Sequence, residues 1–77
     1  MDKIEMLEKI RLERPNDVIH EVISFNENIH GFYNIKVDME CMFFTTKIKH
    51  HRATLPYPVS AYEKLSESER FEWRFNN

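Results

Sequence analysis

Residues 33–44, YNIKVDMECMFF, carry the clearest pattern in the chain. From Tyr33 to Phe43 the odd positions hold apolar residues or the cysteine, while the even positions up to Glu40 are polar or charged. Because side chains alternate between the two faces of a strand, this period of two predicts a β-strand with one buried and one solvated face. A single strand is not stable in water, so the segment needs a strand partner.

Residues 17–28 fit either a second helix or a strand. As a helix, the segment could be capped by Asn16 or Asp17. One helical face would then carry its aliphatic residues Val18, Ile19, Val22 and Ile23. The same residues are β-branched, which favours a strand. The strand interpretation is preferred because it pairs 18–25 with 33–43 across an Asn- and Gly-containing turn at 26–31. Residues 45–49, or another chain, are the alternative partners.

Helices are predicted at both ends of the chain. Residues 2–14 carry an apolar stripe at helical spacing, and Pro15 disfavours helical geometry at the residue before it. The β-prone segment 45–49 is followed by a predicted loop at 50–58, HHRATLPYP. Two S-x-x-E capping boxes, at 60–63 and 66–69, then predict a helical turn at 61–65 and a helix at 67–75.

These segments predict a small α+β fold with residues 1–77 as one small domain. N- and C-terminal helices would pack on a two- or three-stranded antiparallel sheet centred on 33–43. The alternative is a mostly helical fold in which 17–28 is a second helix beside a short hairpin. A chain of 77 residues buries only about 60–65% of its unfolded surface, which leaves little room for a deep cleft.

Composition argues for a cytoplasmic protein without a membrane anchor. The net charge is −2, and no apolar run approaches the ~20 residues of a membrane span. The N-terminal residues lack the apolar core of a signal peptide. The one cysteine, Cys41, lies on the apolar strand face and is expected to be a buried free thiol in a reducing compartment. The scarcity of glycine and alanine is typical of AT-rich genes, including those of many phages.

No motif predicts catalysis, a cofactor or a metal. The chain has no C-x-x-C or H-x-x-x-H spacing and no glycine-rich phosphate loop. Cys41 follows Glu40 and lacks the electropositive setting that activates a thiol. An enzyme is therefore not expected.

The aromatic C-terminal segment, ERFEWRF at 69–75, predicts an interaction surface. On a helix, Phe71 and Phe75 share a face while Trp73 points about 200° away from Phe71, so one core cannot bury all three rings. Either Phe71 and Phe75 dock on the sheet with Trp73 at its rim, or an aromatic face meets a partner. Tryptophan flanked by arginine is typical of binding hot spots.

The sequence thus predicts a non-catalytic protein-binding module that inhibits or adapts a larger protein of unknown identity, such as a host factor bound by a phage protein in the host cytoplasm. Met42 and Phe44 add apolar groups on the nominally polar strand face, and edge pairing of two copies would give a homodimer. The predicted partner-binding residues are Trp73, Phe75, Arg70, Arg74, Tyr57, Met42 and Phe44.

The alternative is a small nucleic-acid-binding protein. Its phosphate contacts would come from the basic segment 47–52, and Tyr57 could stack on a base. The thirteen acidic residues of the chain oppose this interpretation. The residues concerned are Lys47, Lys49, His50, His51 and Arg52.

Overall fold

The computed structural model describes residues 1–75. Within this range the chain forms helix α1 (Lys3–Glu13), strands β1 (Ile19–Glu27), β2 (Tyr33–Phe43) and β3 (Thr46–Tyr57), and helices α2 (Val59–Glu63) and α3 (Glu67–Phe75). The strands form an antiparallel sheet in the order β1-β2-β3. The predicted α+β class and the central position of 33–43 are confirmed, and the mostly helical alternative is wrong because 19–27 is a strand.

Strand β1 places apolar residues on one face although they are three apart in sequence. Ile19, Val22 and Phe25 pair with successive odd-numbered residues of β2. Register shifts between 19 and 21 and between 22 and 24 each accommodate one extra residue on β1, as β-bulges do. The two irregularities turn a helix-like spacing into a strand with one buried face.

Helix α1 covers the face of the sheet that holds the main core. Met6 and Ile10 are fully buried, and they cluster with Ile35, Val37 and Met39 of β2. Burying each such side chain contributes roughly 1.5–3 kcal/mol. The end of α1 is tied to β1 by an arginine side chain, since the guanidinium of residue 11 donates two hydrogen bonds, of 2.6 and 3.1 Å, to the carbonyl of residue 19.

The chain between α1 and β1 does not begin a second helix. Asp17 forms a 2.8 Å ion pair with Arg14 instead of capping a helix. Asp2 is the cap that forms, because its carboxylate accepts a 2.9 Å hydrogen bond from the amide of Glu5. Helix α1 spans residues 3–13, within one residue at each end of the predicted 2–14.

Most of the predicted loop at 50–58 is wrong, because β3 continues to Tyr57. His51 pairs with Met39, and Leu55 pairs with Ile35 and joins the core. Pro56 is tolerated because β3 is an edge strand, where one side of the backbone needs no hydrogen-bond partner. The two prolines therefore mark the end of a long edge strand.

The C-terminal helices use only one of the two predicted capping boxes. The amide of Glu69 donates to the Ser66 hydroxyl at 3.3 Å, and the amide of Ser66 donates to the Glu69 carboxylate at 2.9 Å. Ser60 instead lies inside α2, whose first amide, on Val59, donates to the carboxylate of Glu13 at 3.1 Å. Helix α3 has the predicted bounds, whereas α2 begins two residues before the predicted turn.

The capping box makes the stability of α3 depend on pH through Glu69. The Ser66 amide, then the Ser66 hydroxyl, and less strongly His30 hold the pKa of the Glu69 carboxyl below its ordinary value of 4.5. Because the folded pKa is the lower one, this stabilisation is complete above the ordinary pKa and is lost as pH falls through the lowered folded value. We expect the Tm advantage of wild type over Glu69→Gln to shrink between about pH 6 and pH 3. Thermal unfolding of both proteins across this range measures it, and an advantage independent of pH would contradict it.

Candidate partner-binding surface

Strands β2 and β3 continue past the main core as a hairpin. We call residues 40–52 the arm, which includes at its base His51 and Arg52, paired with Met39 and Asp38. The buried core ends at Met39 on β2, and β1 begins opposite this residue. Beyond it, the Glu40 amide donates to the carbonyl of Val18 at 2.9 Å, and from Cys41 onward β2 pairs with β3. Cys41, predicted to be buried, is only half-buried as a free thiol, and every residue from 42 to 52 is exposed. The arm is therefore the part of the sheet that the fold leaves open.

The apex of the arm is apolar on both faces. Phe43 continues the face that carries the core, Met42 lies on the opposite face, and Phe44 occupies the turn between the paired residues 43 and 46. Their exposed fractions are 62%, 63% and 88%. The rings of Phe43 and Phe44 contact edge to face with centroids 4.7 Å apart. Ile48 adds a fourth exposed apolar side chain beside the apex.

Phe44 has the left-handed backbone conformation, with φ of 55°. For a residue with a Cβ atom this conformation costs roughly 1–2 kcal/mol, and glycine or asparagine is the usual choice in a hairpin turn. The exposed ring regains little of this energy from burial within the chain. The tight turn requires this conformation, and the sequence meets it with a bulky aromatic residue, so Phe44 is a candidate functional residue.

The basic segment 47–52 is not a continuous cationic surface. Lys47 forms a 3.1 Å ion pair with Glu40, and His50 forms a 3.0 Å contact with Asp38. Both acidic residues lie on the sheet face opposite the core, and a phosphate approaching this face would meet them. Within residues 1–75, the basic side chains of the segment that have no carboxylate within 4.0 Å are Lys49, His51 and Arg52.

The histidines of the arm do not form a metal site in the described part of the chain. His50 and His51 point to opposite faces, as the strand geometry predicts, since His51 pairs with Met39 on the core face. The ring of His20 lies 5.0 Å from that of His50 and contacts the carbonyl of Lys49 at 2.8 Å. No group of three or more metal-ligating side chains is suitably placed among residues 1–75.

Trp73 belongs to a second, smaller cluster on the sheet face opposite α1. Its indole Nε1 donates to the side-chain oxygen of Asn34 at 2.6 Å, and its ring lies 5.0 Å from Tyr62 and 6.3 Å from Phe32. Phe32 is fully buried and Trp73 is half-buried. Arg70 lies over the Tyr62 ring at 5.4 Å. Trp73 thus attaches α3 to the sheet, and Arg70 attaches α3 to α2.

The uncovered aromatic face of α3 is formed by Phe71 and Phe75. They are 64% and 77% exposed, and their rings lie 5.0 Å apart. The arrangement in which these two rings dock on the sheet and Trp73 covers its rim is therefore wrong. The sequence could not identify which ring docks, because Trp73 docks through contacts with Phe32 and Asn34, which are distant along the chain.

The predicted partner-binding residues occupy separate regions. Met42 and Phe44 lie at the apex of the arm, whereas Arg74 and Phe75 lie on the exposed face of α3. Nine residues of extended strand, about 30 Å, separate Phe43 from the Asn34 contact of α3. Tyr57 is half-buried against the core at the C-terminal end of β3, whereas Lys47 lies near the N-terminal end, so Tyr57 does not join the basic segment. The sequence analysis did not identify Phe43 and Ile48 as exposed apolar residues. The available signal was the length of β2, which is longer than the strand β1 that it pairs with.

No helix among residues 1–75 is long and apolar enough to cross a membrane. Comparison with family models, curated proteins and solved structures gave no significant match for this chain. Function is therefore inferred from the side chains that the fold leaves exposed, their charges and their backbone conformations.

Proposed function

We propose that this protein is a non-catalytic binding module that attaches to a larger protein through the apex of the arm and modulates it, as an inhibitor or an adaptor. The observation that supports this most directly is the ring of Phe44, which is 88% exposed on a strained backbone. The proposed location is the cytoplasm, or the host cytoplasm for a phage protein.

The shape of the apex favours insertion into a cleft. Met42 and Phe43 lie on opposite faces and Phe44 at the tip, so a flat partner surface would cover only part of the apolar area. Burying a side chain of this size is worth roughly 1.5–3 kcal/mol. A few aromatic side chains in a well-packed pocket provide most of the binding energy in many interfaces.

Two phenylalanines with nearly equal exposure allow a matched test of this surface. Phe43 is 62% exposed on the arm, and Phe71 is 64% exposed on α3. We expect Phe43→Ser to reduce capture of a protein partner from lysate of the source cells by about tenfold or more, the loss typical of an interface residue. Phe71→Ser should capture the same protein at the wild-type level. Quantitative mass spectrometry of the captured fractions measures both.

Nuclease treatment of a parallel lysate separates this function from nucleic-acid binding. Capture through the arm should survive nuclease. The opposite ranking of the two variants would move the binding surface to α3. Capture that disappears with nuclease would favour the basic segment 47–52 as the functional site.

A further inference from the structure

The charge of the arm is opposite to that of the rest of the chain. Of the eleven lysines and arginines, three lie in residues 40–52, and of the thirteen acidic residues only Glu40 lies there. The arm therefore carries a formal charge of +2, and the remaining residues carry −4, which together give the net −2. The apolar apex is thus presented on the basic part of an acidic protein.

Two of the three strong cations of the arm are available for an external contact. Lys47 is neutralised by Glu40 at 3.1 Å. Lys49 and Arg52 are exposed and have no carboxylate within 4.0 Å among residues 1–75. On a strand that rises about 3.3 Å per residue, they lie roughly 15–25 Å behind the tip. A partner that encloses the apex would meet these cations with the rim of its cleft.

We infer that the partner proposed above presents an apolar cleft with an acidic rim, whose carboxylates face Lys49 and Arg52. This inference rests on the proposed function. A second copy bound arm to arm is disfavoured because the two pairs of cations would face each other. A nucleic acid and an anionic membrane are disfavoured because both spread their negative charge over many phosphates, whereas the arm offers only two free cations.

Site-specific photo-crosslinking tests the inference. A benzophenone amino acid at position 44 keeps an aromatic group at the apex, and the same label at Ile29, also 88% exposed, serves as the control position. Full-length labelled protein is irradiated in lysate of the source cells, and the crosslinked peptide is sequenced. We expect a protein peptide from position 44 that combines apolar residues with aspartate or glutamate, and no such peptide from position 29.

Charge reversal tests the acidic rim separately. The variant Lys49→Glu/Arg52→Glu should reduce the crosslink from position 44 by about tenfold, as should raising the salt from about 0.1 M to 0.5 M. Lys3→Glu/Lys64→Glu changes the net charge equally at exposed residues outside the arm and should leave the yield unchanged.

The remaining outcomes overturn the inference in distinguishable ways. A neutral or basic crosslinked peptide whose yield is independent of salt would overturn the acidic rim and leave the proposed function intact. Three further crosslinking reactions replace the lysate with vesicles of anionic phospholipid, with a 20-nucleotide oligonucleotide, or with the purified labelled chain alone. A crosslink from position 44 to one of these instead of a lysate protein, or no crosslink at all, would overturn both the inference and the proposed function.

Discussion

Replacing Phe32 by alanine is expected to lower the free energy of unfolding by about 3–5 kcal/mol, the usual range for a buried phenylalanine. Phe32 is fully buried and has ring contacts at 6.1–6.3 Å with His30, Tyr62 and Trp73. Because these contacts attach the C-terminal helices to the sheet, the cavity would weaken both the cluster and its junction with β2. A domain of this size has a total stability of only about 3–5 kcal/mol, so a large fraction of the variant should be unfolded at 25 °C.

Urea unfolding, followed by Trp73 fluorescence and by far-UV circular dichroism, measures this loss. Phe71→Ala removes the same atoms from a side chain that is 64% exposed, so it should change the stability by no more than about 0.5 kcal/mol. Similar losses for the two variants would contradict the central position of Phe32 in the second cluster.

The strands illustrate which parts of this fold are readable from sequence. In β2 the alternation predicts the buried face because the strand is regular from Tyr33 to Met39. In β1 the two register irregularities shift the apolar residues to every third position, and this spacing resembles that of a helix. A bulge is set by pairing with the neighbouring strand, so the local sequence of β1 contains little sign of it.

The candidate site was only partly predictable for a related reason. Met42 and Phe44 stand out in the sequence because they interrupt the polar face of β2. Phe43 falls on the apolar face, where periodicity predicts burial, and yet it is 62% exposed. Its exposure depends on where the core ends in space. Periodicity identifies the face on which a side chain lies but does not show whether another element covers that face.

Replacing Phe44 by asparagine is expected to lower the affinity for the partner at least 30-fold, while the folded state remains as stable as wild type or becomes more stable. Asparagine adopts a positive φ more readily than a bulky residue, so relief of strain should offset the lost ring contact with Phe43 and add up to about 1 kcal/mol. The loss of affinity corresponds to at least about 2 kcal/mol, the threshold for a hot-spot residue.

Competition against labelled wild-type protein for the isolated partner measures affinity, and urea unfolding measures stability. Ile29→Asn is the matched control, because Ile29 is also 88% exposed but lies in the turn between β1 and β2. It should retain wild-type affinity. If Phe44 served the fold instead, Phe44→Asn would lower stability and leave affinity unchanged. The two roles predict different outcomes for both affinity and stability, so one substitution distinguishes between them.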